Sequence, residues 1–296
     1  MKSLIAVALS AAILAGCAGQ APAAAPGASD RAAAPGVSEP AAATVALDPV
    51  ALVGLWQLSA DGAPKNVVLR IGGPGDLELF QPCAVLTGDW RADETGLFAG
   101  RLDSRSGPPL CDGPDLGATV ARAAGYRIDG AERVLVDDRG ATVARLLPGA
   151  VPVTRPDLAA DVTGVPRVTD EIRQRLRAAA PLPAGLTPVT APVLLGRWLP
   201  VDRPARASRA YVEFLADGRW QGSDGCNGAG GGWAAGPGGS LVATAGASTE
   251  VGCDNVPVNR ALATTRRAGL DGTTLVLLDV TGTELLRLTR QITPRR

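Results

Sequence analysis

Histidine is absent from the 296 residues. A chain without imidazole lacks the commonest general base near neutral pH and the commonest zinc ligand. Ser-His-Asp catalysis, Cys-His catalysis and His-ligated metal centres are therefore excluded. Aromatic residues make up 3% of the chain and methionine occurs once. A core of this composition is built from Leu, Val and Ala, with each tryptophan carrying a large share of the apolar bulk. Neither sign of charge is in excess, since Lys plus Arg and Asp plus Glu number 29 each. With no basic surplus to neutralise a phosphate backbone, nucleic acid is not an expected partner.

The longest apolar run, Ser3 to Leu14, is too short to span a bilayer as a mature helix but suits the h-region of a signal peptide behind Met1 and Lys2. It ends in Leu14-Ala15-Gly16-Cys17, which resembles the lipobox of bacterial lipoproteins. The resemblance implies removal of residues 1–16 and acylation of Cys17, whose thiol would carry the lipid; several acyl chains hold a protein on a membrane where one does not. Residues 17–47 are dominated by Ala, Pro, Gly and Ser and show no apolar period, so they are expected to form a disordered tether. The expected location is the cell envelope, outside the cytoplasm, in the periplasm or at the cell surface.

The remaining chain matches itself at an offset of roughly 143 residues. Leu52-Val53-Gly54-Leu55-Trp56 aligns with Leu194-Leu195-Gly196-Arg197-Trp198, Cys83 with Cys226, Trp90 with Trp233, Cys111 with Cys253, and Asp137 with Asp279. An ordered series of this kind implies two tandem domains, 48–150 and 190–292. The intervening 151–189 is rich in proline and reads as a linker, with one helix opened by Thr169-Asp170-Glu171 and continued by IRQRLRAAA.

Within each domain the pattern is mainly β. Tyr211 to Phe214, an Asp217-Gly218 turn and Arg219 to Gln221 form a hairpin signal; Leu241 to Thr244, Thr274 to Asp279 and Thr283 to Leu288 read as further strands. Residues 257–268 read as a helix, with Pro257 in the first turn and Gly269 beyond its end. The expected fold is mainly β with one helix per domain (α+β): two small antiparallel, barrel-like domains in a monomer. The paired Arg145 and Arg287 are expected to form salt bridges with the paired Asp137 and Asp279.

An exported protein meets an oxidising compartment, and Cys83, Cys111, Cys226 and Cys253 fall as one equivalent pair in each repeat. Pairing within a domain is the only connectivity that each ancestral copy could form alone, so the expected disulfides are Cys83–Cys111 and Cys226–Cys253. Each would close a loop of roughly 28 residues and contribute about 3.5 kcal/mol on a chain-entropy account. A four-cysteine metal site would need ligands from both domains and lacks any C-x-x-C spacing.

The second copy carries Leu195-Gly196-Arg197-Trp198, Phe214 with Asp217-Gly218, Gly225-Cys226-Asn227, and Thr249 through Cys253. In this it resembles the META domain family, the HslJ-like envelope proteins. The resemblance implies a lipocalin-like β fold with a helix and brings no catalytic residues. The first copy departs from it, reading Pro82-Cys83-Ala84 where the pattern has Gly-Cys-Asn.

The Gly-rich run GSDGCNGAGGG lacks a Walker lysine, so it reads as a sharply turning backbone with several positive-φ glycines rather than a phosphate cradle. Asp224, Asn227, Asp254 and Asn255 form a candidate polar concavity for a small ligand, and Trp220, unpaired across the repeat, joins them as a candidate contact. No metal or cofactor is expected, and no carboxylate pair stands out for acid–base work. The leading expectation is a non-catalytic envelope lipoprotein that binds an envelope component or protein, or supports envelope stress tolerance. The alternatives are an inhibitor of a secreted hydrolase, a carboxylate-driven hydrolase, or a structural spacer.

Overall fold

The computed structural model describes residues 46–107, 113–151, 158–202, 209–246, 248–249, 252 and 254–291. Residues 1–45, and with them the leader, Cys17 and nearly all of the tether, lie outside the described residues, as do Cys111 and Cys253. The expected cysteine pairing therefore falls outside them as well.

The first half contains β1 (Gly54–Ser59), β2 (Val68–Ile71), β3 (Leu77–Phe80), β4 (Val85–Ala92), β5 (Phe98–Ser106), α1 (Leu116–Ala121), β6 (Gly125–Asp129), β7 (Glu132–Val136) and β8 (Thr142–Leu147). The intervening segment carries α2 (Ala160–Thr163), α3 (Asp170–Leu176), β9 (Thr187–Pro188) and α4 (Ala191–Leu194). The second half contains β10 (Gly196–Pro200), β11 (Tyr211–Phe214), β12 (Arg219–Ser223), β13 (Gly228–Ala235), β14 (Leu241–Ala243), α5 (Val258–Thr264), β15 (Arg267–Asp271), β16 (Thr274–Leu278) and β17 (Glu284–Arg290).

Among the described residues all pairings are antiparallel; there the first sheet has eight strands in the order β5-β4-β3-β2-β1-β8-β7-β6, and the second has nine, β14-β13-β12-β11-β10-β17-β16-β15-β9, the same order with β9 added at its edge. Neither sheet is a closed barrel, which corrects the expectation. The ends of the sheets approach at isolated bridges: Leu97–Gly125 joins the β5 end of the first to β6, and Ser240–Arg267 joins the β14 end of the second to β15. Helices take up apolar surface that further strand pairing would otherwise bury. Leu116 and Val120 of α1 belong to the first core, and Val258 and Leu262 of α5 to the second.

The two halves repeat several local devices. Trp56 and Trp198 each donate the indole N–H to the carbonyl four residues back, Leu52 at 2.8 Å and Leu194 at 2.7 Å. Asp137 Oδ1 accepts from the N–H groups of Arg139 and Ala141, and Asp279 Oδ1 from those of Thr281 and Thr283, closing equivalent turns. A Cβ on Gly88 would overlap the Arg101 carbonyl oxygen, and one on Gly231 the Thr244 carbonyl oxygen.

These turns correct the expected ion pairs. Asp137 and Asp279 are engaged by their own backbones, so Arg145 binds Glu132 at 2.8 Å and Arg287 binds Asp271 at 2.8 Å. The helix expected over 257–268 ends at Thr264, because Arg267 and Ala268 pair with Leu278 and Leu277 as strand β15. In the Gly-rich run only Gly225 has a positive φ, of 109°. Gly222, Gly230 and Gly231 instead give room to carbonyl oxygens of neighbouring strands.

The segment between the halves is packed against both. Thr169 caps α3 by accepting from Ile172 N at 3.3 Å, and Leu176 is fully buried in the first core. Ala180 N donates to Val280 O at 3.0 Å in the second half. Leu158 and Val162 cover the outer face of the first sheet over Leu55, Val68, Phe80 and Val85. Among the described residues, no helix is long and apolar enough to cross a membrane.

Candidate functional site

Strand β12 ends at Ser223, and positive-φ Gly225 lets the chain reverse into β13. The turn brings Asp224 and Asn227 together in a buried position. Asp224 Oδ1 accepts from the N–H groups of Cys226 at 2.8 Å and Asn227 at 2.6 Å. Its Oδ2 accepts from the side-chain amides of Asn227 at 3.0 Å and Asn255 at 2.8 Å. Val256 N donates to Asp224 O at 3.0 Å, and Thr249 Oγ1 donates to Asn227 Oδ1 at 2.8 Å. The knot thus ties the β12–β13 turn to the chain approaching α5.

Burial pushes the Asp224 carboxyl up, but the hydrogen bonds from Asn227, Cys226 and Asn255 outweigh it and hold the group below the usual carboxylate range. Both of its oxygens face N–H donors, an arrangement suited to an internal anion and unsuited to a cation. No group of His, Cys, Asp or Glu among the described residues is arranged to hold a metal ion.

Three of the four candidate polar residues are therefore brought together, as a mutually satisfied cluster rather than an open concavity. Asp254 is exposed and takes no part in these bonds. Trp220 is buried in the second core, and its indole N–H donates to Thr244 O at 2.7 Å, so it offers no surface to a ligand. In the first half, Gln81 N donates to Ala84 O at 2.9 Å, matching the Asp224 N to Asn227 O bond at 3.1 Å. The backbone turn is kept there while its side-chain knot is gone.

A buried ion pair escaped the sequence reading. Arg70 on β2 and Glu78 on β3 are direct partners in register, both buried, and meet at 2.8 Å. Arg70 also binds Asp76 at 2.9 Å and donates through Nε to Gly164 O at 3.0 Å. Burial, aided by Asp76, pushes the Glu78 carboxyl up to about 8. Its signal was a single charge of opposite sign in each of two apolar strands, Val68-Leu69-Arg70-Ile71 and Leu77-Glu78-Leu79-Phe80. Enclosed beneath Gly164, the pair serves to fasten the intervening segment.

A concave surface lies between the sheets, a cleft of about 730 Å³. Leu97, Ala99 and Ala124 contribute from the first half, and Leu195, Trp233 and Ala234 from the second; Arg122, Asp138 and Asp217 are also among its lining residues. Its volume is in the range of small-ligand pockets, and its lining is mainly apolar. Nothing in the sequence marks it, because its walls are joined only by tertiary packing.

Residues 196–292, which include strands β10 to β17 and the Asp224 knot, match the META domain family. Neither a curated protein nor a solved structure matches the chain.

Proposed function

We propose that this is a non-catalytic lipoprotein of the cell envelope, built from two tandem META-type, HslJ-like domains, that binds an envelope component or protein in the cleft between them. The observation that carries the binding reading is the cleft itself, a largely apolar concavity lined from both halves. The buried carboxylates Asp224, Glu78 and Asp93 each take part in structural hydrogen bonds, which favours binding over acid–base chemistry. Tandem duplication is supported by the common strand order, the matched indole bonds of Trp56 and Trp198, and the matched turns at Asp137 and Asp279.

The envelope reading rests on the lipobox-like Leu14-Ala15-Gly16-Cys17. The same reading includes one disulfide per domain, Cys83 with Cys111 and Cys226 with Cys253, which non-reducing peptide mapping tests directly. A Cys83–Cys226 link would overturn the duplication.

Metabolic acyl labelling with fractionation tests the anchor. The wild type is expected in the membrane fraction carrying label, and Cys17→Ala in the soluble fraction without it; an unlabelled, soluble wild type would overturn the assignment. Crosslinking capture from solubilised envelope tests the cleft. Ala191→Trp, placed on the cleft wall, is expected to lose components that the wild type retains, and equal capture would remove the cleft from the reading.

A further inference from the structure

Between the two sheets lies a set of charged and polar contacts separate from both the Asp224 knot and the Arg70–Glu78 pair. The β4–β5 hairpin of the first half enters the second half along its length. Asp89 Oδ2 accepts from Ala245 N at 3.2 Å, just beyond β14, and Arg91 Nε donates to Ala263 O at 2.9 Å in α5. From the opposite side, Arg266 Nη1 donates to Ala92 O at 2.8 Å, and Arg267 Nη2 binds Glu94 at 2.6 Å. The Arg267 and Glu94 side chains are 11% and 12% exposed, and Arg266 is 5% exposed. Beside these contacts Ala99 packs with Ala234 and Val242.

The geometry has a direction. A buried guanidinium is costly unless hydrogen-bonded, and the acceptors that engage Arg266 and Arg267 lie largely outside the second sheet. They are Ala92 O and Glu94 from the first half and Arg177 O and Ala180 O from the intervening segment, with Ser240 the acceptor from the second half itself. Separating the halves would expose Val242 and Ala234 as well as two arginines. The hairpin also sets the halves apart, since β5 runs for nine residues and its counterpart β14 for three.

We propose that the β4–β5 hairpin is a dedicated intramolecular partner of the META-matching half, whose surface around β13, β14 and Arg266–Arg267 is a docking face for a β-hairpin with an acidic tip. Docking creates the inter-sheet cleft, so the META-matching half does not function as an independent module in this chain. The first half, having lost the polar knot, is kept for this contact.

The test is hydrogen exchange across residues 241–246 and 263–268 in the full chain, comparing wild type with Glu94→Ala, Arg267→Ala and the double variant. Each single change is expected to speed exchange in these segments by about tenfold or more, and the double variant to exchange no faster than the faster single one, as coupled residues do. Unchanged exchange in both single variants, or effects that multiply in the double, would overturn the proposal. Should a single variant fail to fold, Asp89→Asn keeps the side-chain shape and weakens the acceptor for Ala245 N together with the Asp89–Arg91 ion pair on the same hairpin. Faster exchange of that amide, with the β16 amides still protected, supports the docking, and exchange equal to wild type overturns it.

Discussion

Asn255 donates its side-chain amide to Asp224 across 2.8 Å, joining two segments 31 residues apart through one buried carboxylate. Replacing Asp224 by Asn would keep the shape but turn one oxygen into a donor facing the amides of Asn227 and Asn255. The expected loss is about 2–4 kcal/mol, read from the urea midpoint. Asp254→Ala, at an exposed neighbouring position, is expected to stay within about 0.5 kcal/mol of wild type.

The pH profile of stability should carry the signature of Glu78. Its folded value is raised, to about 8 from 4.5, so the folded state holds the proton more tightly than the unfolded one. Its contribution is full at low pH and declines as pH rises from about 4.5 through about 8. Burial raises Asp89 and Asp93 in the same direction. Thermal midpoints are expected to fall across this window, and Glu78→Gln to flatten the fall. A wild-type midpoint that climbs over the same range would refute the assignment.

Gly231→Ala is expected to destabilise by about 3 kcal/mol or more, because the added methyl meets the Thr244 carbonyl and the Trp220 indole rather than a mobile side chain. Gly88→Ala meets the Arg101 carbonyl and should behave alike. Denaturation of the two variants side by side measures whether the halves share this constraint.

Leu176→Ala removes a fully buried side chain that α3 inserts into the first core. A loss of about 2–4 kcal/mol is expected by chemical denaturation, and a loss near zero would show that the helix is not part of that core.

Trp220→Phe deletes the bond to Thr244 O and leaves the ring position filled. It should cost about 1–2 kcal/mol in denaturation while leaving capture of envelope components unchanged. Altered capture at unchanged stability would return Trp220 to the ligand surface.

The legible parts of the fold were those written locally. The Asp217-Gly218 turn and its flanking strands, and the Thr169 cap of α3, follow from short stretches whose chemistry is self-contained. Pairings across longer distances carry a weaker local signal. Arg145 and Arg287 were matched to Asp137 and Asp279 by their place in the repeat, whereas the backbone of each turn had already engaged those carboxylates. The polar cluster was located through Asp224, Asn227 and Asn255, but its self-satisfaction depends on which atoms face which. The cleft and the charged contacts between halves arise only once both sheets exist, so no local signal announces them.

Leu47 N donates to Glu94 O at 2.9 Å, and the side chain of Glu94 holds Arg267. The Leu47 side chain also packs on the first core, so tension arriving along the backbone from the amino-terminal side meets that core and the seam between the sheets at the same residue. A pull from that side would load the clasp between the halves together with the first of them.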